Sequence, residues 1–258
     1  MNDQSSGPPP ADELPFAAPC RTLSPGAPWR WVRLGWADLR AAPFQSLAFG
    51  VSMVLVSYLL SLATWVWGNL GLYLGLVSGF VFLGPWLALT LYSISLRLER
   101  GERPTVARSL ADAWRSVGGA LFFAVILVVV FLVWARAANT LYIFFPQISD
   151  PALVDLLLFL GVGSAVGALF CAVIFTISAF ALPMLMDCKV DAVTAVVTSI
   201  NAVLRNKRAM AVWAMMIVGS VLLGILTAWL AFAVVLPVIG HATWHAYRET
   251  IDASAWPR

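Results

Sequence analysis

Apolar residues fill four long runs of the chain, and charged residues gather in the short stretches between them. From Ala41 to Leu96 there are 56 residues without Asp, Glu, Lys or Arg. As one helix this run would extend ~84 Å, against a hydrocarbon core of ~30 Å. Two passes are needed, turning at "WVWGNLG" (65–71), where Gly68 and Asn69 break a helix and Trp65 and Trp67 suit an interface. Spans are therefore expected over 45–66 and 70–96. A third run covers 118–145 and is closed by "PQISDPALVD", whose two prolines and two aspartates predict a turn. A fourth covers 156–186. The last, Ala209 to Tyr247, has 39 residues without a formal charge, ~58 Å as one helix and again about two bilayer cores. A hairpin at Gly224 to Thr227 divides it into spans over 209–225 and 227–247, six in all.

An amphipathic segment introduces each pair of spans: "WVRLGWADLRAAP" (31–43, within an interfacial helix over 29–42), "VARSLADAWRSVGG" (106–119) and "DAVTAVVTSINAVLRNK" (191–207). In the second, Val106, Leu110, Ala113, Trp114 and Val117 fall at helical spacing while Arg108, Asp112 and Arg115 lie elsewhere, as in a helix lying in the interface plane. The second span of each pair carries a proline, Pro85, Pro183 and Pro237, each expected to kink its helix. Together these features suggest a threefold repeat of interfacial helix plus hairpin.

Composition agrees with this pattern. The chain is 61% hydrophobic and 11% charged, with a mean hydropathy of +0.87, which implies an all-α polytopic membrane bundle rather than a soluble domain. Residues 1–27, rich in proline and small polar residues and lacking the form of a signal peptide, are expected to be a disordered tail. Residues 28–250 form one membrane domain, and 251–258 a short second tail. Cys20, Cys171 and Cys188 make no C-x-x-C and imply no disulfide framework.

Charge placement sets the expected orientation. Four basic residues precede the first span, five lie in 97–115, four in 189–208 and two after 247, with none in the predicted turns on the other side. Under the positive-inside rule both termini face the cytoplasm. The net charge of +3 is spread along membrane borders, which serves topology and anionic lipid contact and points away from nucleic acid.

Candidate chemistry is sparse. His241, His245 and Arg248 share one helical face. Two histidines at i and i+4 can give adjacent ligands to one metal, though not the two opposite axial ligands of one haem. "PMLMDC" adds Met184, Met186, Asp187 and Cys188, of which the methionines and the cysteine are soft donors suited to copper. Interface anchoring or an internal hydrogen bond is weighed above a metal for these histidines, beside Trp244 and Tyr247. Arg136 stands inside the third predicted span, close enough to its end to pair with Asp150 or Asp155. Gly161, Gly163, Ser164 and Gly167 suit close helix packing. No local Ser/His/Asp pattern, phosphate loop or soluble catalytic domain is visible.

The blocks "GWADLRAAPFQSLAFG", "GPWLALTLYSISLRLERGE", "VDAVTAVVTSINAVLRN" and "VIGHATWHAYRET", spread over about residues 30–250, resemble a bacterial family of predicted six-helix integral membrane proteins of unknown function, some of whose members carry a cytochrome oxidase label. The resemblance implies the fold and a membrane location and supplies no catalytic residues. The oxidase label gains nothing from the chain itself, since an oxidase centre needs histidines on several helices. The functional expectation is a non-catalytic inner-membrane protein acting as accessory or assembly partner of a membrane complex. The alternatives are a small-molecule or lipid transporter and metal or haem handling at His241 and His245.

Overall fold

The structure, a computed structural model, describes residues 15–67, 87–144 and 153–258. Their regular structure is helical: α1 (Ala27–Ala41), α2 (Pro43–Trp67), α3 (87–99), α4 (Val106–Arg115), α5 (Val117–Phe144), α6 (Leu153–Ser178), α7 (Ala181–Asp187), α8 (Ala192–Arg205), α9 (Lys207–Leu226) and α10 (Phe232–Thr250). One isolated antiparallel bridge joins Cys20 to Ile251.

The three amphipathic helices share one feature in how they meet the helix that follows. Each amphipathic helix is separated from the long apolar helix after it by one residue: Ala42 between α1 and α2, Ser116 between α4 and α5, Asn206 between α8 and α9. Seven residues before each break, Gly35, Ser109 and Ser199 are buried, and three before it Leu39, Ala113 and Val203 are buried. The same stripe of each short helix thus faces inward.

Among the described residues, four helical stretches are long and apolar enough to cross a membrane: Pro43–Val66, Leu121–Thr140, Leu153–Asp187 and Lys207–Leu226. Most of the expected span over 70–96, with Pro85, Gly68 and Asn69, lies outside the described residues. The α10 helix falls short of the same standard because its second half carries His241, His245, Arg248 and Glu249.

Three expectations change in detail. The fourth predicted span is broken, with residues 179–180 between α6 and α7. Ser199 stitches the break, donating to the Thr176 carbonyl at 2.8 Å and accepting from the Phe180 amide at 3.1 Å. Pro183 therefore sits in the first turn of α7, where its missing N–H costs nothing, and starts a helix instead of kinking one. The last hairpin turns at 227–231, with Ala228 and Trp229 at φ 48° and 70°. Gly224 lies within α9, and its missing Cβ makes room for Phe232, whose ring lies 2.0 Å from where a Cβ would stand. The terminal segments also pack. Residues 15–26, expected within the disordered tail, hold to the body through Ala18 N–H to Thr198 Oγ1 (3.0 Å), Arg21 N–H to the Thr250 carbonyl (2.8 Å) and Leu23 N–H to Asn206 Oδ1 (2.8 Å). At the other end Trp256 is buried and Lys189 N–H donates to the Pro257 carbonyl at 2.8 Å. Residues 1–14 of the expected tail lie outside the described residues.

The centre of the assembly is α10, packed against α1, α2, α7 and α9. Two glycines let the neighbouring backbones reach it. A Cβ on Gly35 would come within 2.5 Å of the Val238 carbonyl, and one on Gly50 within 2.0 Å of the Ala233 carbonyl. Pro237 stands inside α10 and lacks the N–H that would ordinarily engage Ala233, so the Gly50 contact occurs where the ladder is interrupted. By contrast, a Cβ on Gly161, Gly163 or Gly167 would meet nothing within 4 Å, so these small residues make no close helix contact among the described residues.

Gly50→Ala and Gly35→Ala should each lower stability on the order of 1–3 kcal/mol, because the facing atoms are backbone and cannot yield. Gly163→Ala should leave stability unchanged or higher. Thermal unfolding in detergent followed by helical circular dichroism separates the three, and equal melting of Gly50→Ala and wild type would refute the close packing of α2 on α10.

Candidate functional site

His241 is fully buried, and both ring nitrogens are engaged from different helices. Nε2 lies 2.9 Å from Ser46 Oγ on α2, and Nδ1 lies 2.8 Å from Ser95 Oγ on α3. Ser95 donates its own hydroxyl proton to Asp38 Oδ2 on α1 at 2.7 Å. A hydroxyl has one proton, so Ser95 accepts from Nδ1–H, and the neutral ring accepts from Ser46 at Nε2. Asp38 Oδ2 takes a second bond from His245 Nε2 at 2.8 Å. The result is a directed chain, Ser46 to His241 to Ser95 to Asp38, closed by His245, that ties four helices together.

Around this chain the ends of α3, α7 and α10 form a polar collar. Arg248 pairs with Glu99 at 2.7 Å and with buried Asp187 at 3.4 Å. Asp187 also pairs with Arg258 at 3.3 Å and accepts from Tyr247 Oη at 2.9 Å. Trp244 donates its indole N–H to Glu99 at 3.2 Å. On the α1 side, Arg30 pairs with Glu249, which also accepts from Trp31 Nε1 at 2.9 Å. A second carboxylate, Asp112 on α4, accepts from Ser93 and Arg97 of α3, each at 2.7 Å. Asp38 and Asp112 occupy the same place, four residues before their helix breaks, and each accepts a serine of α3. A cavity of about 480 Å³ opens at the collar between Asp38, Ser95, Glu99, His245 and Arg248.

The sequence candidates fall into this arrangement unevenly. His241, His245 and Arg248 do share a face of α10, and they use it on serines and carboxylates. Among the described residues no three His, Cys, Asp or Glu side chains gather as a metal site. Met184 is buried and Met186 is half-buried against Ser116, whose hydroxyl lies 3.5 Å from the sulfur. Cys188 is buried beside Asp187 and Tyr247, and burial first, then the Asp187 charge, pushes its thiol up to about 11. It is protonated and a poor soft ligand at neutral pH. Arg136 is exposed on α5 and makes no ion pair with Asp155 among the described residues, while Asp150 lies outside them.

Ser46, Ser95 and Asp38 were invisible as a site because they stand 195, 146 and 207 positions from the α10 histidines they engage. No spacing rule spans such distances. The one available signal is their polarity within or beside apolar segments. Ser46 and His241 have the geometry of a nucleophile and its base, yet both are fully buried and present no reacting atom to the collar cavity.

These features define a polytopic helical membrane protein with a polar collar at one end of the bundle. Residues 72–187 match the family model described as "Predicted integral membrane protein (DUF2189)". That stretch is narrower than the 30–250 over which the sequence blocks show resemblance. It contains Ser95, Glu99, Asp112 and Asp187 of the collar, while Asp38, His241 and His245 lie beyond it. Searches of curated proteins and of solved structures give no match.

Asp38→Ala should cost about 1–3 kcal/mol, since it leaves Ser95 and His245 without their shared acceptor. Combined with His245→Ala the loss should be less than additive, by about 0.5 kcal/mol or more. Strict additivity would show that the two residues are not coupled. At pH 7.5 Cys188 should resist alkylation in the folded protein and label fully on denaturation, as peptide mass spectrometry would record.

Proposed function

We propose that this integral membrane protein has no catalysis of its own and works by contact, as an accessory or assembly partner of a membrane complex. The observation that carries the reading is α6, a helix of 26 residues with none buried among the described residues, whose Leu157, Leu160 and Leu169 are exposed and can meet another membrane helix. The collar supports it too, because its ionisable groups are spent on one another and brace the bundle. With the basic connections facing the cytoplasm, as their distribution favours, the collar is a cytoplasmic platform.

Transport of a small molecule or lipid is the second reading, favoured by the break at Ala179–Phe180 in an otherwise continuous apolar stretch. Solute or lipid flux in proteoliposomes containing only this chain would put it first. Metal or haem handling ranks third, as His241 commits both ring nitrogens to serine hydroxyls. A stoichiometric metal lost in His241→Ala/His245→Ala protein would displace the contact reading.

The direct test places photo-crosslinking residues at Leu157 and Leu169 of α6, with Leu34 of α1 as the control. Both α6 positions should yield one and the same membrane-protein adduct, preserved in mild detergent and absent from the control. A chain that crosslinks only to lipid from α6 and purifies alone would refute the proposal.

A further inference from the structure

A groove of about 340 Å³ runs along the seam where α1 lies across α9 and α10. Its wall is apolar: Met216 and Leu223 on α9, Val235 on α10, and Val32 on α1, with Trp29 and Trp36 of α1 at its edge. From Met216 to Leu223 the helix rises ~10 Å, enough to follow several methylenes of an extended chain. The floor is low because Gly219 and Ser220 line it, and a Cβ on Gly219 would meet nothing within 4 Å.

The rim is cationic. Arg40 sits over the ring of Trp36, 5.4 Å from its centroid. Arg33, between Trp29 and Trp36 on the same helical side, is exposed and makes no ion pair among the described residues. Nearby Arg30 is already committed to Glu249. An apolar seam beside a membrane-spanning helix, edged by two tryptophans and two arginines free of carboxylates, has the chemistry of one class of molecule. The tryptophans place the rim at the depth of lipid headgroups, and unpaired arginine favours phosphate through paired N–H donors.

We propose that this groove is a binding site for one anionic phospholipid, with an acyl chain lying between α9 and α10 and its phosphate held by Arg33 and Arg40. The lipid would fill the gap that α1 leaves against the bundle and so fix how the short helix lies on the membrane.

The test uses the full chain, stripped of lipid in detergent and offered an equal mixture of phosphatidylglycerol and phosphatidylcholine with the same acyl chains, read by native mass spectrometry. One phosphatidylglycerol per chain should be retained in preference to phosphatidylcholine. The Arg33→Gln/Arg40→Gln variant should weaken that preference by about fivefold for each arginine removed. Gly219→Leu, which fills the groove without touching a charge or a packed neighbour, should release the lipid while unchanged melting shows the fold intact. Equal retention of both lipids by the wild type would overturn the proposal, as would retention that neither variant alters.

Discussion

A buried imidazole offers one donor and one acceptor, and both must be met inside the protein. His241 meets that requirement with Ser46 and Ser95, which come from α2 and α3, so a single side chain on α10 determines where two other helices can lie. Ser95 passes the constraint to Asp38 on α1, and Asp38 returns it to α10 through His245. An unmet polar group in such surroundings is costly, while a complete network is compatible with burial. The glycines at positions 35 and 50 serve the same end, because the serines and Asp38 could not approach α10 if the backbones were held apart by side chains.

The collar and the spans are built on opposite principles. At the collar, charges are distributed over α1, α3, α4, α7, α10 and the C-terminal residues, and Arg30, Asp38, Glu99, Asp187 and Arg248 are each answered by a group from a distant part of the chain. In the spans there is little to answer: α5 and α6 are almost wholly apolar, with only Phe123, Ala124 and Phe131 of α5 buried among their described residues. Apolar helices gain no hydrophobic driving force from leaving lipid for one another, so bundle cohesion has to come from close packing and hydrogen bonds. Here those are concentrated where the polar residues are. The segment broken at residues 179–180 follows the same logic, since Ser199 satisfies the backbone groups that the break exposes.

The short helices tie separate parts of the collar together. The α4 helix is bonded to α3, α8 to the α6–α7 break, and α1 to α10, so the first and last described helices of the chain meet. The termini take part as well. Residues 15–26 and 251–258 look like tails by composition, yet they run beside one another, meet the end of α10 through the Arg21 N–H to Thr250 carbonyl bond, and meet the end of α8 through the Asn206 side chain.

Hydrophobic run length and the spacing of arginines determined, without any coordinates, that this is a helical membrane protein, where most of its long helices begin and end, and which three segments form short helices with one buried stripe. These are local properties: a run too apolar for water and too long for one pass must turn, and an amphipathic stripe must face two media. Helix boundaries failed where local signals compete with packing. Gly224 reads as a turn until Phe232 is seen against it, and Pro183 reads as a kink until the preceding break makes it a first-turn residue. Only the tertiary structure could decide the use of the histidines. Their spacing of four residues established a shared face, which suits a metal as well as a carboxylate. What stands opposite that face comes from helices up to 207 positions away, and no pattern within a single helix carries that information.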